Sequence, residues 1–303
     1  MAQDYLESIK KLGLKVKTNE PLAKHTTFKI GGPADFLVEV KKEEELIKLL
    51  KEIKLLKLPY FVLGGGSNLL IADEGFRGVV IKMSNVKCQM SNGKIIVGAG
   101  VSLGKLVELA AENSLAGLEF AAGIPGTVGG AVRGNAGAWQ QAIGDRVKRV
   151  KVLTPQGEVK WIEASECQFS YRQSRFKKTK EIIWEVELEL EKGNKKEIQE
   201  KISQNLAKRA SQPREPSAGC VFVNPKPFAA GELIDKCGLK GTRIGDAQIS
   251  SKHANFIINL GKAKAADVIK LINLIKEKVK EKFGIELEEE IFLLGFDNFS
   301  KEV

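Results

Sequence analysis

Two glycine-rich segments about sixty residues apart constrain the fold of this 303-residue chain more than any other feature. They are 64–68 (GGGSN) and 123–130 (GIPGTVGG), and each interrupts an apolar, sheet-like stretch. Because glycine lacks a Cβ, it adopts positive φ and lets the backbone approach a ligand closely. Successive backbone N–H groups in such turns converge into a concave anion site that suits a diphosphate. The two segments therefore predict a large phosphorylated cofactor that is held from two sides.

The composition is that of an ordinary soluble globular protein, with 43% hydrophobic and 28% charged residues. No apolar run approaches the roughly 20 residues that span a bilayer, and the N-terminus lacks a signal pattern. We therefore expect a cytoplasmic protein without a membrane partner. The four cysteines are widely spaced and His25 has no companion ligand, so the sequence predicts neither disulfides nor a metal site.

The net charge of +10 comes mainly from lysines spread along the chain. Lysine clusters at 177–180 and 192–196 have little aromatic interleaving, which argues against a base-stacking platform for nucleic acid. A positive field favours anionic small molecules, including nucleotides. We expect a small-molecule ligand and no nucleic-acid partner.

The chain divides into three predicted parts, 1–86, 87–194 and 195–303. Apolar periodicity predicts helices over 43–57, 103–113 and 263–283, and a polar helix is expected over 195–210, before Pro213 and Pro216. Apolar and alternating runs predict strands over 60–63, 95–97, 147–153, 159–162, 182–190 and 285–294. Gly284 is expected to cap the last helix. Alternation in the final strand would place Glu286, Glu288 and Glu290 on one face.

Residues 98–104 (GAGVSLG) follow a predicted strand and precede a helix, as a dinucleotide fingerprint does. Their spacing is one residue longer than the expected G-x-G-x-x-G. A Rossmann domain would also continue as a regular strand–helix alternation, whereas here a second glycine segment and antiparallel-looking strands follow. We therefore interpret 98–104 as a tight strand-to-helix turn.

The order of motifs resembles the MurB family, the UDP-N-acetylenolpyruvoylglucosamine reductases, from about residue 26 to residue 295. The segments that carry the resemblance are 63–70 (LGGGSNLL), 123–130 (GIPGTVGG), 135–138 (NAGA), 171–174 (YRQS), 217–225 (SAGCVFVNP) and 238–241 (GLKG). The last three are the more specific, because related flavin oxidases share the glycines. The compact length resembles the shorter of the family's two types, without an insert in the third part.

The resemblance implies an α+β fold. Two FAD-binding subdomains of the PCMH or vanillyl-alcohol-oxidase-like type would precede a C-terminal α+β substrate-binding domain. It also implies bound FAD, with NADPH as the hydride donor. Hydride would pass to N5 of the flavin and then to the enolpyruvyl ether of UDP-N-acetylglucosamine, giving UDP-N-acetylmuramate for peptidoglycan. We expect a monomer.

Three residues take catalytic roles by this resemblance. Arg172 would stabilise the enolate-like carboxylate, for which its planar and always charged guanidinium is suited. Cys220 lies at the general-acid position, where many members carry serine, and a protonated thiol donates more readily than an alcohol. Glu290 matches a glutamate that stabilises the intermediate or assists proton transfer. From residue type alone, these would be a surface arginine, a buried inert cysteine and a solvated carboxylate.

The resemblance also implies binding residues. Those expected to contact FAD are Gly64, Gly65, Gly66, Ser67, Asn68, Gly123, Pro125, Gly126, Thr127, Gly129, Gly130, Asn135 and Ala138. Those expected to contact substrate are Tyr171, Asn224, Lys240 and His253. Val223 replaces a lysine often found before the Asn-Pro pair. Two other functions stay open at this point: an FAD-dependent oxidase of a different alcohol or sugar, and a non-catalytic nucleotide-binding module.

Overall fold

The computed structural model of the chain describes residues 2–296. Met1 of the first predicted part and residues 297–303 of the third lie outside the described residues. The helices are α1 Ala2–Lys11, α2 Glu43–Leu55, α3 Leu103–Glu112, α4 Val128–Gly134, α5 Lys195–Arg209, α6 Ala230–Lys236 and α7 Ala265–Phe283. None of the helices between residues 2 and 296 is both long and apolar enough to cross a bilayer.

Short strands accompany these helices throughout. They are β1 Lys15–Pro21, β2 Pro33–Val40, β3 Tyr60–Leu63, β4 Leu69–Ile71, β5 Phe76–Met83, β6 Cys88–Ser91, β7 Lys94–Gly98, β8 Leu115–Ala116, β9 Gly137–Ala138, β10 Gln141–Ala142, β11 Val147–Leu153, β12 Val159–Glu163, β13 Ile182–Glu189, β14 Glu191–Lys192, β15 Ser217–Cys220, β16 Arg243–Ile244, β17 Ala247–Ile249, β18 Phe256–Asn259 and β19 Phe292–Leu294.

Three main sheets follow one another along the chain. The first has the order β1-β2-β5-β3 and mixes antiparallel and parallel pairs. The second, β12-β11-β13-β7-β6, and the third, β15-β18-β17-β16, are antiparallel. The smaller parallel pair β19-β4 joins the C-terminal segment to the first part of the chain. Helices and mainly antiparallel sheets together make the predicted α+β fold.

Helix α2 forms where periodicity predicted it and delivers the chain to the first glycine loop. Leu46, Leu49 and Ile53 face the core, one helical turn apart. The Glu45 carboxylate accepts hydrogen bonds from two backbone N–H groups that precede the helix, at 2.8 and 3.1 Å, so the N-terminus is capped. Strand β3 follows and ends at Leu63, where the loop begins.

Helix α5 opens the third predicted part, yet it packs against the second. Asn205 Nδ2 donates to the Glu119 carbonyl and Arg209 Nε donates to the Ala122 carbonyl, both at 2.9 Å. The last turn of α5 is thereby fixed beside the second glycine loop. Helix α7 buries its predicted face and ends at Gly284, whose φ of 68° confirms the expected cap.

The predicted strand 285–294 is wrong over most of its length, because only β19 is regular. Before it, the Glu290 N–H donates to the Val221 carbonyl at 2.7 Å, and the Val223 N–H donates to the Glu288 carbonyl at 3.0 Å. These contacts hold the segment against the chain that follows β15. The predicted single face of glutamates is broken, since Glu286 is exposed whereas Glu290 is half-buried.

Residues 98–104 form the expected strand-to-helix turn between β7 and α3. A Cβ on Gly98 would lie 2.2 Å from the Asn85 carbonyl oxygen, so close chain packing requires glycine there. The Gly100 N–H donates to the Asn85 side chain at 2.9 Å. The Ser102 hydroxyl accepts from the Lys105 N–H at 3.2 Å and caps α3.

Candidate active site

Two cavities lie between parts of the chain, the first between the second and third parts and the second among all three. The first, of about 480 Å³, is lined mainly by residues 135–145 and 169–172, together with Asn224. The second, of about 420 Å³, is lined by the end of β3, the second glycine loop, residues 176–183 and Phe292. Gly64 of the first glycine segment and Thr127, Gly129 and Gly130 of the second therefore line the second cavity, and the Tyr171-Arg172 motif lines the first.

The two glycine loops pack directly against each other. A Cβ on Gly65 would lie 2.7 Å from Gly126 Cα, and a Cβ on Gly64 would lie 2.6 Å from the Thr127 hydroxyl. The Ser67 hydroxyl donates to the Pro125 carbonyl at 3.1 Å. Several of these glycines are therefore required by contact between the loops as well as by any ligand.

The first glycine loop has backbone N–H groups that are free to bind an anion, whereas most of those in the second loop already donate hydrogen bonds within the protein. Within residues 2–296, the backbone N–H groups of Gly65, Gly66 and Ser67 donate no hydrogen bond. In the second loop, the N–H groups of Val128 and Gly129 donate to backbone carbonyls at 2.9 Å. Three neighbouring unpaired N–H groups suit a diphosphate. The first loop thus fits the predicted cofactor, and the second shapes the space beside it.

The other residues that were predicted to contact FAD lie in different parts of the structure. Gly130 lies at the exposed start of α4, where a Cβ would meet only the Thr127 hydroxyl, at 3.6 Å. Gly123 has a φ of 78° and lies against the Arg209 side chain. Ala138 lines the first cavity. Asn68 uses its side chain differently, because its Nδ2 donates to the Glu290 carbonyl at 2.9 Å.

Asn135 lines the first cavity, but its side chain is occupied within the fold. Its Nδ2 donates to the Ser170 carbonyl at 2.8 Å, and its Oδ1 accepts from the Gly144 N–H at 3.0 Å. Asn135 also ends α4 in the left-handed region, with a φ of 43°. The residue thereby fixes the turn that begins at Ser170.

Arg172 is presented by that tight turn. Ser170 and Gln173 exchange two backbone hydrogen bonds, and Arg172 between them has a φ of 58°. A non-glycine residue in this region is strained, and such strain clusters at functional sites. Arg172 Nη1 donates to the Gly137 carbonyl at 2.9 Å, while Nε lies 2.9 Å from Glu290 Oε1. The Nε–H is not aligned with that oxygen, so the contact is an ion pair rather than a hydrogen bond.

Cys220 and Glu290 lie on neighbouring segments. Cys220 ends β15 after an irregularity in the pairing with β18, at which Gly219 has a φ of 79°. The next residue, Val221, accepts the backbone hydrogen bond from Glu290. The structure therefore brings the three predicted catalytic side chains together from three separate stretches of chain.

Burial dominates the electrostatics of this cluster. Burial raises the pKa of the Cys220 thiol to about 12, and the Glu290 charge adds to that effect, while Arg172 and Arg209 oppose it. Burial also raises the pKa of Glu290 above its usual range, against the attraction of Arg172 and Lys177. Burial lowers the pKa of Arg209, and the neighbouring positive charge of Arg172 contributes. The thiol is held protonated, as a proton donor must be.

The predicted substrate residues are divided between two places. Tyr171 is 48% exposed at the rim of the first cavity, with the Arg172 guanidinium 5.6 Å from its ring centroid. Asn224 lines the same cavity and accepts from the Ala230 N–H at 2.9 Å, at the start of α6.

Lys240 and His253 line neither of the two cavities. Lys240 pairs with Asp235 on α6 at 2.6 Å. His253 packs edge-on against Phe256, with ring centroids 5.0 Å apart. Burial lowers the pKa of His253, with a further contribution from Lys240, so its ring is neutral near pH 7. Both residues are thus grouped around α6 rather than around Arg172.

Sequence reasoning missed Arg209, Lys177 and Trp139. The charge of Arg209 acts on Cys220, and its Nη2 is buried without a hydrogen-bond partner among residues 2–296. Trp139 is 45% exposed on the first cavity, with Lys208 Nζ 5.0 Å from its ring. Trp139 follows the NAGA motif directly, which was an available signal. Arg209 lies in a polar helix, where nothing local distinguishes it.

Among the described residues, no group of three or more metal-ligating side chains occurs.

The fold and the loops define a class of protein. Residues 34–163 match the family model described as FAD binding domain. The unpaired N–H groups of the first loop fit that match, and the chain is an FAD-binding protein of α+β architecture. Residues 212–294 match a second family model, described as UDP-N-acetylenolpyruvoylglucosamine reductase, C-terminal domain.

Individual relatives extend the likeness over nearly the whole chain. A UDP-N-acetylenolpyruvoylglucosamine reductase from Carboxydothermus hydrogenoformans is 48% identical over 95% of this chain and 97% of its own. One from Caldanaerobacter subterraneus subsp. tengcongensis is 44% identical over 96% and 97%. The crystal structure of the corresponding reductase from Thermus caldophilus is 40% identical, with a TM-score of 0.80 over 93% of this chain and 98% of that one. The chain belongs to the UDP-N-acetylenolpyruvoylglucosamine reductase family.

Proposed function

We propose that this chain is an FAD-dependent reductase that converts the enolpyruvyl ether of UDP-N-acetylglucosamine to UDP-N-acetylmuramate, a peptidoglycan precursor, with NADPH as reductant. Membership of the family supports the reaction. The observation that carries its assignment to these residues is the meeting of Arg172, Cys220 and Glu290, of which Arg172 lines the first cavity. The predicted monomeric state and cytoplasmic location belong to the same proposal.

The cofactor would be held first by its diphosphate. Gly65, Gly66 and Ser67 offer unpaired N–H groups, and the second glycine loop closes the opposite side. When bound, FAD supplies the hydride, taken from NADPH, to the double bond of the substrate.

Arg172 stabilises the charge that develops as the double bond is reduced. Its guanidinium is fixed by the Gly137 carbonyl and by Glu290, so it needs little reorganisation when the charge appears on the substrate carboxylate. Glu290 orients Arg172 and partly neutralises the cationic neighbourhood. Tyr171 and Asn224, on the first cavity, are the proposed contacts to the rest of the substrate.

Cys220 delivers the proton to the carbon next to the substrate carboxylate. Its raised pKa keeps the proton on sulfur throughout the neutral range. A carbanion is a far stronger base than a thiolate, so the transfer is downhill despite the weakly acidic thiol. Arg172 and Arg209 stabilise the thiolate that remains after transfer.

Anaerobic absorption spectroscopy tests the two half-reactions separately. NADPH should bleach the flavin bands, and the enolpyruvyl substrate should restore them. Cys220→Ala should bleach normally and recover at least about 100-fold more slowly, because a general acid contributes roughly that much. Cys237→Ala, at a half-buried thiol under α7, is the matched control and should recover at the wild-type rate.

Each other outcome would contradict a part of the proposal. Normal recovery in Cys220→Ala would remove the thiol from the mechanism. Recovery of the wild type only with air would indicate an oxidase of another substrate. A colourless wild-type protein that FAD cannot reconstitute would indicate a non-catalytic nucleotide-binding module.

A further inference from the structure

Lys177 is a lysine of the second cavity that the proposed reaction leaves unused. It is half-buried at the end of the 3₁₀ turn Arg175–Lys177 and lines the cavity beside the second glycine loop. Among residues 2–296, its ammonium has no hydrogen bond and no ion pair within 4 Å. A partly buried ammonium without a partner leaves its charge uncompensated by the protein.

The charges that act on Lys177 come from two arginines and one carboxylate. Burial lowers the pKa of Lys177, and Arg133 and Arg172 act in the same direction. Glu290 is the carboxylate that opposes them, and Glu290 is already engaged with Arg172 at 2.9 Å. Lys177 and Arg172 therefore share one carboxylate in a partly desolvated place, with the positive charge of Arg133 nearby. Such a cluster is unfavourable unless an anion joins it.

The segment that carries Lys177 is held rigidly on both sides. Arg175 and Glu181 form two parallel hydrogen bonds, each of 3.0 Å. The preceding residue, Phe176, is buried, and the Ser174 hydroxyl donates to the Arg133 carbonyl at 2.6 Å. The backbone of Lys177 is thus fixed at the cavity wall by its neighbours.

The remaining walls of the cavity indicate what kind of anion it would accept. Gly64, Thr127 and Gly130 of the two glycine loops are among its lining residues. Phe61 and Phe292, stacked with centroids 5.6 Å apart, form an apolar wall. A ligand with a phosphate portion and a flat apolar portion matches both surfaces. The adenosine diphosphate portion of a dinucleotide has both.

We propose that Lys177 binds the diphosphate of the FAD cofactor. Its ammonium and the backbone N–H groups of the first glycine loop would together form the anion site. This inference rests on the proposed function for the identity of the cofactor. Arg133 lines the same cavity and adds to the field. The bound diphosphate would in turn relieve the repulsion among Lys177, Arg133 and Arg172.

The test compares Lys177→Met with Lys178→Met, because Lys178 lines the same cavity but is exposed. FAD and ADP are titrated into the apoprotein, and binding is followed by calorimetry. Lys177→Met should weaken both ligands about 10- to 100-fold, the range of one charge-assisted hydrogen bond, and Lys178→Met should change each less than about 3-fold. Lys177→Arg, which keeps the charge, should stay within about 3-fold of the wild type.

Thermal unfolding of the apoprotein and of the FAD-bound protein distinguishes a cofactor-binding lysine from a structural one. Removing an unpaired cation from a repulsive cluster should leave the apoprotein of Lys177→Met as stable as the wild type or more so. Its stabilisation by FAD should nevertheless be smaller. A structural lysine would lower the stability of both forms equally. Lys177→Gln provides a second neutral variant.

The results that would contradict the role of Lys177 differ from the result that would contradict the proposed function. Wild-type affinity for FAD and ADP in the neutral variants would overturn the proposal, even if the KM for NADPH rose, because the ammonium would then serve another anion. Failure of both neutral variants to fold while Lys177→Arg folds would also overturn it, since the charge would then hold the fold. A wild-type protein without affinity for FAD would instead overturn the proposed function, and this inference with it.

Discussion

The raised pKa of Cys220 makes a quantitative prediction for a pH titration of the thiol. At pH 9, a thiol with a pKa of about 12 is roughly 0.1% thiolate, whereas an unperturbed thiol with a pKa of about 8.5 is roughly three-quarters thiolate. Only the thiolate is alkylated. The rate at Cys220 should therefore still be rising about tenfold per pH unit between pH 8 and pH 10, while an ordinary thiol levels off.

Iodoacetamide labelling followed by peptide mass spectrometry measures this rate at Cys220 itself. The slope against pH is diagnostic, because limited access of the reagent lowers every rate equally. Glu290→Gln removes a negative charge that raises the thiol pKa, so its curve should bend at a lower pH than that of the wild type. The rate of substrate-dependent flavin reoxidation should show no loss from Cys220 ionisation up to pH 10.

Two results would refute this reasoning. A plateau of Cys220 alkylation above about pH 9 would mean that burial does not raise its pKa. A fall in the reoxidation rate with a midpoint near pH 8.5 to 9, present in the wild type and absent in Cys220→Ser, would mean that the thiol ionises in the neutral-to-alkaline range. Identical profiles for the wild type and Cys220→Ser through pH 10 are the expected outcome.

Three further predictions concern the loops and the cluster. Asn68→Ala should retain full flavin, lower the free energy of unfolding by about 0.5–1.5 kcal/mol in denaturant titrations, and slow substrate reduction, because Glu290, for which we propose a catalytic role, loses a backbone anchor. Gly65→Val should purify without flavin absorbance, because its side chain would meet Gly126 Cα at 2.7 Å, whereas Gly104→Ala, with nothing within 4 Å, should purify fully loaded. Arg172→Ala should keep NADPH-driven bleaching and slow reoxidation by substrate about 100- to 1,000-fold, and equal effects on both half-reactions would argue against its role.

Periodicity predicted the helices that pack through one continuous face. Helices α2 and α7 show their apolar stripes in the sequence, and both lie where expected. Helix α4 was missed, because three of its seven residues are glycines, which disfavour a helix in isolation. Contacts to the turn between β7 and α3 hold it instead, through the N–H groups of Val128 and Gly129.

For the site residues too, local sequence patterns predicted only part of what the tertiary structure shows. Alternation alone could not distinguish Glu290 from Glu288 or Glu289, and the regular strand it suggested is not formed. The family resemblance selected Glu290, and the structure brings its carboxylate to Arg172. Lys177 gave no signal in the sequence, where it appeared within an ordinary lysine cluster. Its significance comes from Arg133 and from a cavity wall to which distant segments contribute, and these form no pattern with Lys177 in the sequence.

The parallel pair of β4 with β19 has a consequence for the order in which the protein becomes functional during synthesis. Strand β4 directly follows the first glycine loop, and its strand partner within residues 2–296 is the last strand made. A nascent chain that ends before residue 285 therefore leaves an edge of β4 open and lacks Glu290. Chains interrupted late in translation would contain both glycine loops, yet β4 would lack its partner strand and Arg172 and Cys220 would lack Glu290.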